Sequence, residues 1–128
     1  MSKSSDNIIL IGMPGVGKST VGVVLAKVLG YSFIDSDLVI QEKTGRLLKD
    51  IIAEEGTEKF KEIENDVNKS LNTTKAIIAT GGSAVYGQEA MEHFAKIGTI
   101  PVIKSWELKE FENPSELLKI IRERKDNL

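Results

Sequence analysis

The chain has 128 residues, a formal net charge of −2, a hydrophobic share of 41% and a charged share of 28%, which is the make-up of one small globular domain. Acids and bases are interspersed, which argues against a broad basic surface for nucleic acid, and the lack of cysteine excludes disulfides and thiolate metal sites. The opening "MSKSSDN" lacks the apolar core of a signal peptide, and no apolar run approaches the roughly 18 residues of a spanning helix; no membrane partner and a cytoplasmic location are expected.

In chain order, "NIILIG" (7–12) is an apolar run ending in glycine, as suits a buried parallel strand. "KSTVGVVLAKVLG" (18–30) places Val21, Val24, Leu25 and Val28 at helical spacing, with Gly30 to stop the helix. "YSFID" (31–35) is a second short strand, and "SDLVIQEKTG" (36–45) a short helix that opens on a Ser/Asp cap and ends at glycine. "LLKDIIAEEG" (47–56) and "TEKFKEIENDVNKSLN" (57–72) read as two amphipathic helices, the second with an apolar stripe at Phe60, Ile63, Val67 and Leu71. "KAIIAT" (75–80) is a third strand broken by "GGS", "GQEAMEHFAKIG" (87–98) a helix, and "TIPVI" (99–103) a fourth strand. "ENPSELLKIIRERKDNL" (112–128) reads as one helix capped by Asn113 or Ser115, with Pro114 near its first turn. Strands alternating with helical segments predict a single α/β domain: a three-layer fold whose parallel sheet is flanked by helices, with ligands at the carboxyl ends of the strands.

The segment "GMPGVGKST" (12–20) carries the chemistry. It satisfies G-x-x-x-x-G-K-[ST] through Gly12, Gly17, Lys18 and Ser19, with a strand before it and a helix after it. Glycines let the backbone wrap with its N–H groups turned inward, and the following helix adds unpaired N–H groups and the positive end of its dipole. Gly12, Gly15, Val16, Gly17, Lys18, Ser19 and Thr20 thus form a nucleotide cradle. Lys18 reaches the outer phosphates, and the Ser19 hydroxyl suits Mg²⁺, a cation that prefers hard oxygen ligands.

Motor and transporter ATPases close a second apolar strand with an acid, but "KAIIATGG" ends in threonine and glycine. Ras-like GTPases read guanine with Asn-Lys-x-Asp, whereas Asn68-Lys69 is followed by Ser-Leu inside a helix. The acids expected near the loop are Asp35 and Asp37, which follow the second strand and are placed beside the loop if the two strands are sheet neighbours. Being two apart, they point different ways: one toward the metal's water shell, the other toward a substrate hydroxyl that it can orient and deprotonate.

With these stretches, "IIAEEGTEKFKEIE" and "ATGGSAVY" in order and spacing, residues 7–100 resemble the shikimate kinases. The resemblance implies Mg²⁺- and ATP-dependent phosphorylation of the 3-hydroxyl of shikimate, a small-molecule substrate, in aromatic amino-acid synthesis. It implies phosphate and metal binding by Lys18 and Ser19, metal support through water by Asp35, and substrate binding and base catalysis by Asp37. Gly81 and Gly82 match the family's glycine triplet, whose backbone approaches the substrate, with Ser83 in third place. Where the family has an arginine clamp in F-R-x-x-E, this chain reads "FKEIE" with Lys61, which keeps the charge without the planar fork. Residues 101–128 depart from the family: its further strand, arginine-bearing lid and second clamp arginine have no clear counterpart, Arg122 and Arg124 being the nearest candidates. The last family strand is expected to be absent, leaving a monomer or a weakly self-associating sheet edge. Two other functions stay open at this level: an ATP-binding remnant without turnover, and a kinase for another small hydroxylated metabolite or a nucleoside monophosphate.

Overall fold

The computed structural model describes residues 6–11 and 18–100, with side chains in the second stretch from residue 22 onward. Residues 12–17 of the glycine loop and the tail from 101, with Trp106, Arg122, Arg124 and the expected end of the fourth strand, lie outside the described residues. So does the question of the last family strand.

The elements run β1 (Asn7–Ile11), α1 (Lys18–Leu29), β2 (Ser32–Asp35), α2 (Ser36–Thr44), α3 (Leu48–Ser70), β3 (Ala76–Thr80), a short 3-10 helix (Gly82–Tyr86), α4 (Gln88–Ile97) and β4 (Gly98–Thr99). All strand pairs are parallel, and the order across the sheet is β2-β3-β1-β4. β1 and β2, consecutive in the chain, are therefore not neighbours: β3 lies between them. The condition on which Asp35 would sit directly beside the loop is not met, and the two strand ends are about 9–10 Å apart across β3.

Strand alternation builds the three layers. Ile9 and Ile78 point into one apolar cluster with Leu71, Phe94 and Ile97, from the α3–α4 side. Ile77, one position out of phase, faces α1 instead, where Gly22 lies against it and against Phe33. A methyl group on Gly22 would come 2.5 Å from Phe33 Cε1, so only glycine lets α1 press this closely on β2. With both faces covered, β3 is buried at every position, AIIAT, as its unbroken apolar run predicts for a central parallel strand.

The two helices expected over 47–56 and 57–72 meet within α3 at Gly56, whose φ of 87° and ψ of 165° are not helical and separate them. A left-handed φ favours glycine, so the break falls where the sequence places its only glycine between Gly45 and Gly81. Beyond the break, α3 runs alongside α2. Ile40 and Val67 share a second apolar cluster with Ile51 and Phe60, and Lys43 Nζ donates to Ser70 Oγ at 3.2 Å, an offset of 27 residues. The same offset sets Asp37 against Glu64 at the other end of the pair. The stripe expected to be Phe60, Ile63, Val67 and Leu71 is shifted slightly: Ile63 is half-buried, while Glu64 and Asn68 are buried.

The lower end of the sheet is tied by one polar side chain. Asn7, 1% exposed, donates through Nδ2 to Thr73 O (2.7 Å) and Ile97 O (2.9 Å), and its Oδ1 accepts from Ala76 N (3.0 Å). It thereby joins β1 to the chain entering β3 and the chain entering β4.

Candidate active site at the carboxyl ends of the strands

β1 ends at Ile11 and α1 begins at Lys18, so the glycine loop spans a strand end and a helix start, the setting its phosphate chemistry requires. Along the same rim, Asp35 closes β2 in register with Ala79, and Thr80 closes β3 beside Ile11. Thr80, 1% exposed, thus occupies the strand end beside β1 where motor ATPases carry an acid.

Asp35 and Asp37 face different partners because a helix starts between them. Asp35 is the N-cap of α2, and its Oδ1 accepts from Asp37 N at 2.9 Å, satisfying one of the helix's open donors. The cap expected at Ser36/Asp37 is thus Asp35. Asp37, in the first turn of α2, turns its carboxylate toward Gly81: a methyl group there would lie 3.4 Å from Asp37 Oδ1. The same methyl would lie 3.4 Å from Glu64 Oε2, so Gly81 sits under two carboxylates from two helices. Gly81 itself is extended (φ −73°, ψ 166°), a conformation any residue adopts; what glycine supplies here is space.

Sequence reasoning did not single out Glu64, the last residue of "FKEIE". Its signal is an acid on the buried stripe of α3, four residues after Phe60. It is 2% exposed, and Ser83 Oγ donates to its Oε1 at 2.6 Å. Ser83 lies in the short 3-10 helix that follows Gly81 and begins at Gly82, and Lys75 is the only non-glycine with positive φ among the described residues. The serine in place of the third glycine is therefore accommodated without backbone strain.

Lys61 lies in a different cleft. Its Nζ is 3.5 Å from Glu58 Oε1 and 4.7 Å from the centroid of the Tyr86 ring, a cation–π contact. That cleft, between α3 and the start of α4, is lined by Glu58, Lys61, Glu62, Asn65, Tyr86, Gln88, Glu89 and Glu92, a set without Asp37, Gly81 or Ser83. Arg46, the one arginine among the described residues, is engaged by Glu54 (3.2 Å) and Glu55; hydrogen bonding to Glu55 raises its pKa further above the usual arginine value. His93, on α4, contacts Leu71 O and belongs to the packing.

A glycine loop with the nucleotide-binding spacing, a capping Asp35, and Asp37 beside the glycine that follows β3 are an arrangement many kinases of small molecules could share. A family model, that of shikimate kinase, matches residues 14–105. The chain belongs to the shikimate kinase family. A shikimate kinase from Moorella thermoacetica is 49% identical over 80 residues, covering 62% of this chain and 46% of that protein. One from Thermodesulfovibrio yellowstonii is 36% identical over 128 aligned residues, covering 88% and 74%. Among solved structures, the shikimate kinase of Acinetobacter baumannii in complex with shikimate superimposes with a TM-score of 0.71 at 30% identity, covering 98% of this chain and 78% of that one. The Aquifex aeolicus shikimate kinase superimposes with a TM-score of 0.67 at 29% identity, covering 94% and 78%. The chain spans about half the length of several shikimate kinases it matches, 46% for the Moorella protein and for two from Nostoc. The fold is the three-layer α/β arrangement of the P-loop kinases, with a parallel sheet flanked by helices.

Proposed function

We propose that this chain transfers the terminal phosphoryl group of ATP to the 3-hydroxyl of shikimate. The observation that carries this reading is the Asp37 carboxylate facing Gly81 on the strand-end rim that also bears the nucleotide loop. Asp37 accepts the proton of the acceptor hydroxyl as its oxygen bonds to the terminal phosphorus; the bond to the bridging oxygen breaks and ADP leaves. Lys18 and the loop N–H groups of Gly12, Gly15, Val16, Gly17, Ser19 and Thr20 hold the phosphates. Gly81, Gly82 and Ser83 present backbone to the acceptor. Shikimate's carboxylate reaches Lys61 only if its ammonium leaves Glu58 and Tyr86, an exchange opposed by the acids lining that cleft.

Magnesium fits the donor set. No group of three or more His, Cys, Asp or Glu side chains converges on a metal-like site among the described residues, and Mg²⁺ characteristically relies on one or two protein oxygens, phosphates and waters. Asp35 has one oxygen on the α2 cap and retains acceptor capacity for a metal-bound water, with Ser19 as the direct ligand. When bound, the ion neutralises phosphate charge as the phosphoryl group moves. No helix among the described residues is long and apolar enough to cross a membrane, and the reading places a small-molecule kinase, monomeric or weakly associating, in the cytoplasm, with neither nucleic acid nor membrane as a partner.

The test is ADP release by the full chain with ATP, Mg²⁺ and shikimate, against a panel of other hydroxylated metabolites and nucleoside monophosphates. Shikimate-dependent ADP is expected. ATP binding, seen as nucleotide-dependent thermal stabilisation, without ADP release on shikimate overturns the substrate assignment.

A second expectation concerns Gly81. Its backbone suits alanine, and the added methyl would rest at 3.4 Å from both carboxylates without clash, so Gly81→Ala is expected to fold with near-normal thermal stability. The methyl fills the space between Asp37 and Glu64, and a displaced acceptor is expected to lower kcat/KM by about 100-fold. Steady-state kinetics beside a melting curve checks both halves; unchanged kcat/KM would show that the acceptor does not approach this glycine.

A further inference from the structure

The hydrogen bond from Ser83 to Glu64 has no role in the scheme above, and it involves the side chain that departs from the family's glycine triplet. It is short, 2.6 Å, and joins the 3-10 helix after β3 to a carboxylate that is 2% exposed. The Ser83 hydroxyl is the donor and the Glu64 carboxylate oxygen the acceptor. It holds Glu64 by Oε1, while Oε2 faces the space above Gly81 that Asp37 Oδ1 also faces. A glutamate side chain has several rotatable bonds, and holding one oxygen restricts where the other points. Two carboxylates from separate helices, one of them held by a hydroxyl, face the point where the backbone has no side chain.

We propose that Ser83 is a positioning residue for the acceptor: its hydroxyl holds Glu64 so that the Glu64 carboxylate, beside Asp37, accepts a hydroxyl of the polyhydroxylated substrate at Gly81. The inference rests on the phosphotransfer reading, since it assigns the acceptor's place. Asp37 takes the proton of the reacting hydroxyl, and Glu64 fixes a neighbouring one. A substrate with adjacent hydroxyl groups is thereby bound in one orientation.

The experiment is steady-state kinetics of the full chain with ATP and shikimate for wild type, Ser83→Ala, Ser83→Gly, Ser83→Thr, Glu64→Gln and the Ser83→Ala/Glu64→Gln double variant, each checked by thermal unfolding. Removal of the hydroxyl is expected to raise the KM for shikimate about 10-fold, the scale of one hydrogen bond, with the KM for ATP unchanged. Ser83→Thr, which keeps the hydroxyl, is expected to restore the shikimate KM, and Ser83→Ala to add nothing in the Glu64→Gln background. Ser83→Gly supplies the same deletion should the alanine variant fail to fold. Wild-type turnover with Ser83→Ala and Ser83→Gly matching it overturns this inference alone, as do equal rises in both KM values or independent effects of Ser83→Ala and Glu64→Gln. Absence of shikimate turnover in the wild type overturns the proposed function and this inference with it.

Discussion

Asp37→Asn is expected to lower turnover on shikimate by about 10²- to 10⁴-fold, the usual contribution of a positioned general base, and to leave ADP affinity unchanged. The substitution is nearly isosteric and spares the local structure, because the α2 cap runs from the Asp37 backbone N–H to the Asp35 carboxylate and does not use the Asp37 side chain. The amide still fits beside Gly81 but no longer accepts a proton from the acceptor. Coupled ADP release measures the first quantity and calorimetry with ADP the second. Turnover within a few-fold of wild type, with ADP binding intact, would remove Asp37 from the base's place. Loss of ADP binding would mean that the side chain supports the nucleotide site instead.

The largest effect on stability is expected far from the chemistry. Asn7→Leu keeps the number and branching of the side-chain heavy atoms but leaves the N–H of Ala76 and the carbonyls of Thr73 and Ile97 without the partner they have now. The bonds to Ala76 and Ile97 are buried and the one to Thr73 partly so; at about 1–3 kcal/mol for each stranded buried group, a loss of about 3–5 kcal/mol is expected, and a Tm lowered by about 10–20 °C in a domain of this size. Because Asn7 joins the amino ends of the strands while the candidate site lies at their carboxyl ends, kcat measured well below the transition is expected to be unchanged. Thermal unfolding followed by circular dichroism checks the first expectation. A Tm within about 3 °C of wild type, less than 1 kcal/mol in such a domain, would mean that other groups or water replace the asparagine.

Much of the fold is legible because its determinants are local. The unbroken apolar run "AIIA" announces a strand covered on both faces, and it is the central β3. Gly30 and Gly45 follow the last residues of α1 and α2, where helix-stopping residues belong. The glycine loop is legible because the phosphate binding proposed for it would reside in backbone N–H groups, which only a fixed spacing of glycines and a following helix can present. Asp35 and Asp37 were legible as an acidic pair at a strand end, and a cap at that point follows from residue type alone.

What the chain could not reveal locally is which elements become neighbours. The order β2-β3-β1 sets Thr80 between Asp35 and the loop, and nothing in "FIDSD" encodes that separation, since strand order is decided by how helices pack over the completed sheet. The same holds for Glu64. On its own helix it is a neighbour of Lys61, three residues away, but the packing of α3 on α2 turns it inward to Gly81 while Lys61 turns to Glu58 and Tyr86. Residue types and their periodicity thus determined the layers, the phosphate loop and the acids available. The tertiary structure alone decided which carboxylates share one glycine, because that depends on contacts between segments far apart in the chain, and burial energy reads only the summed surface they cover.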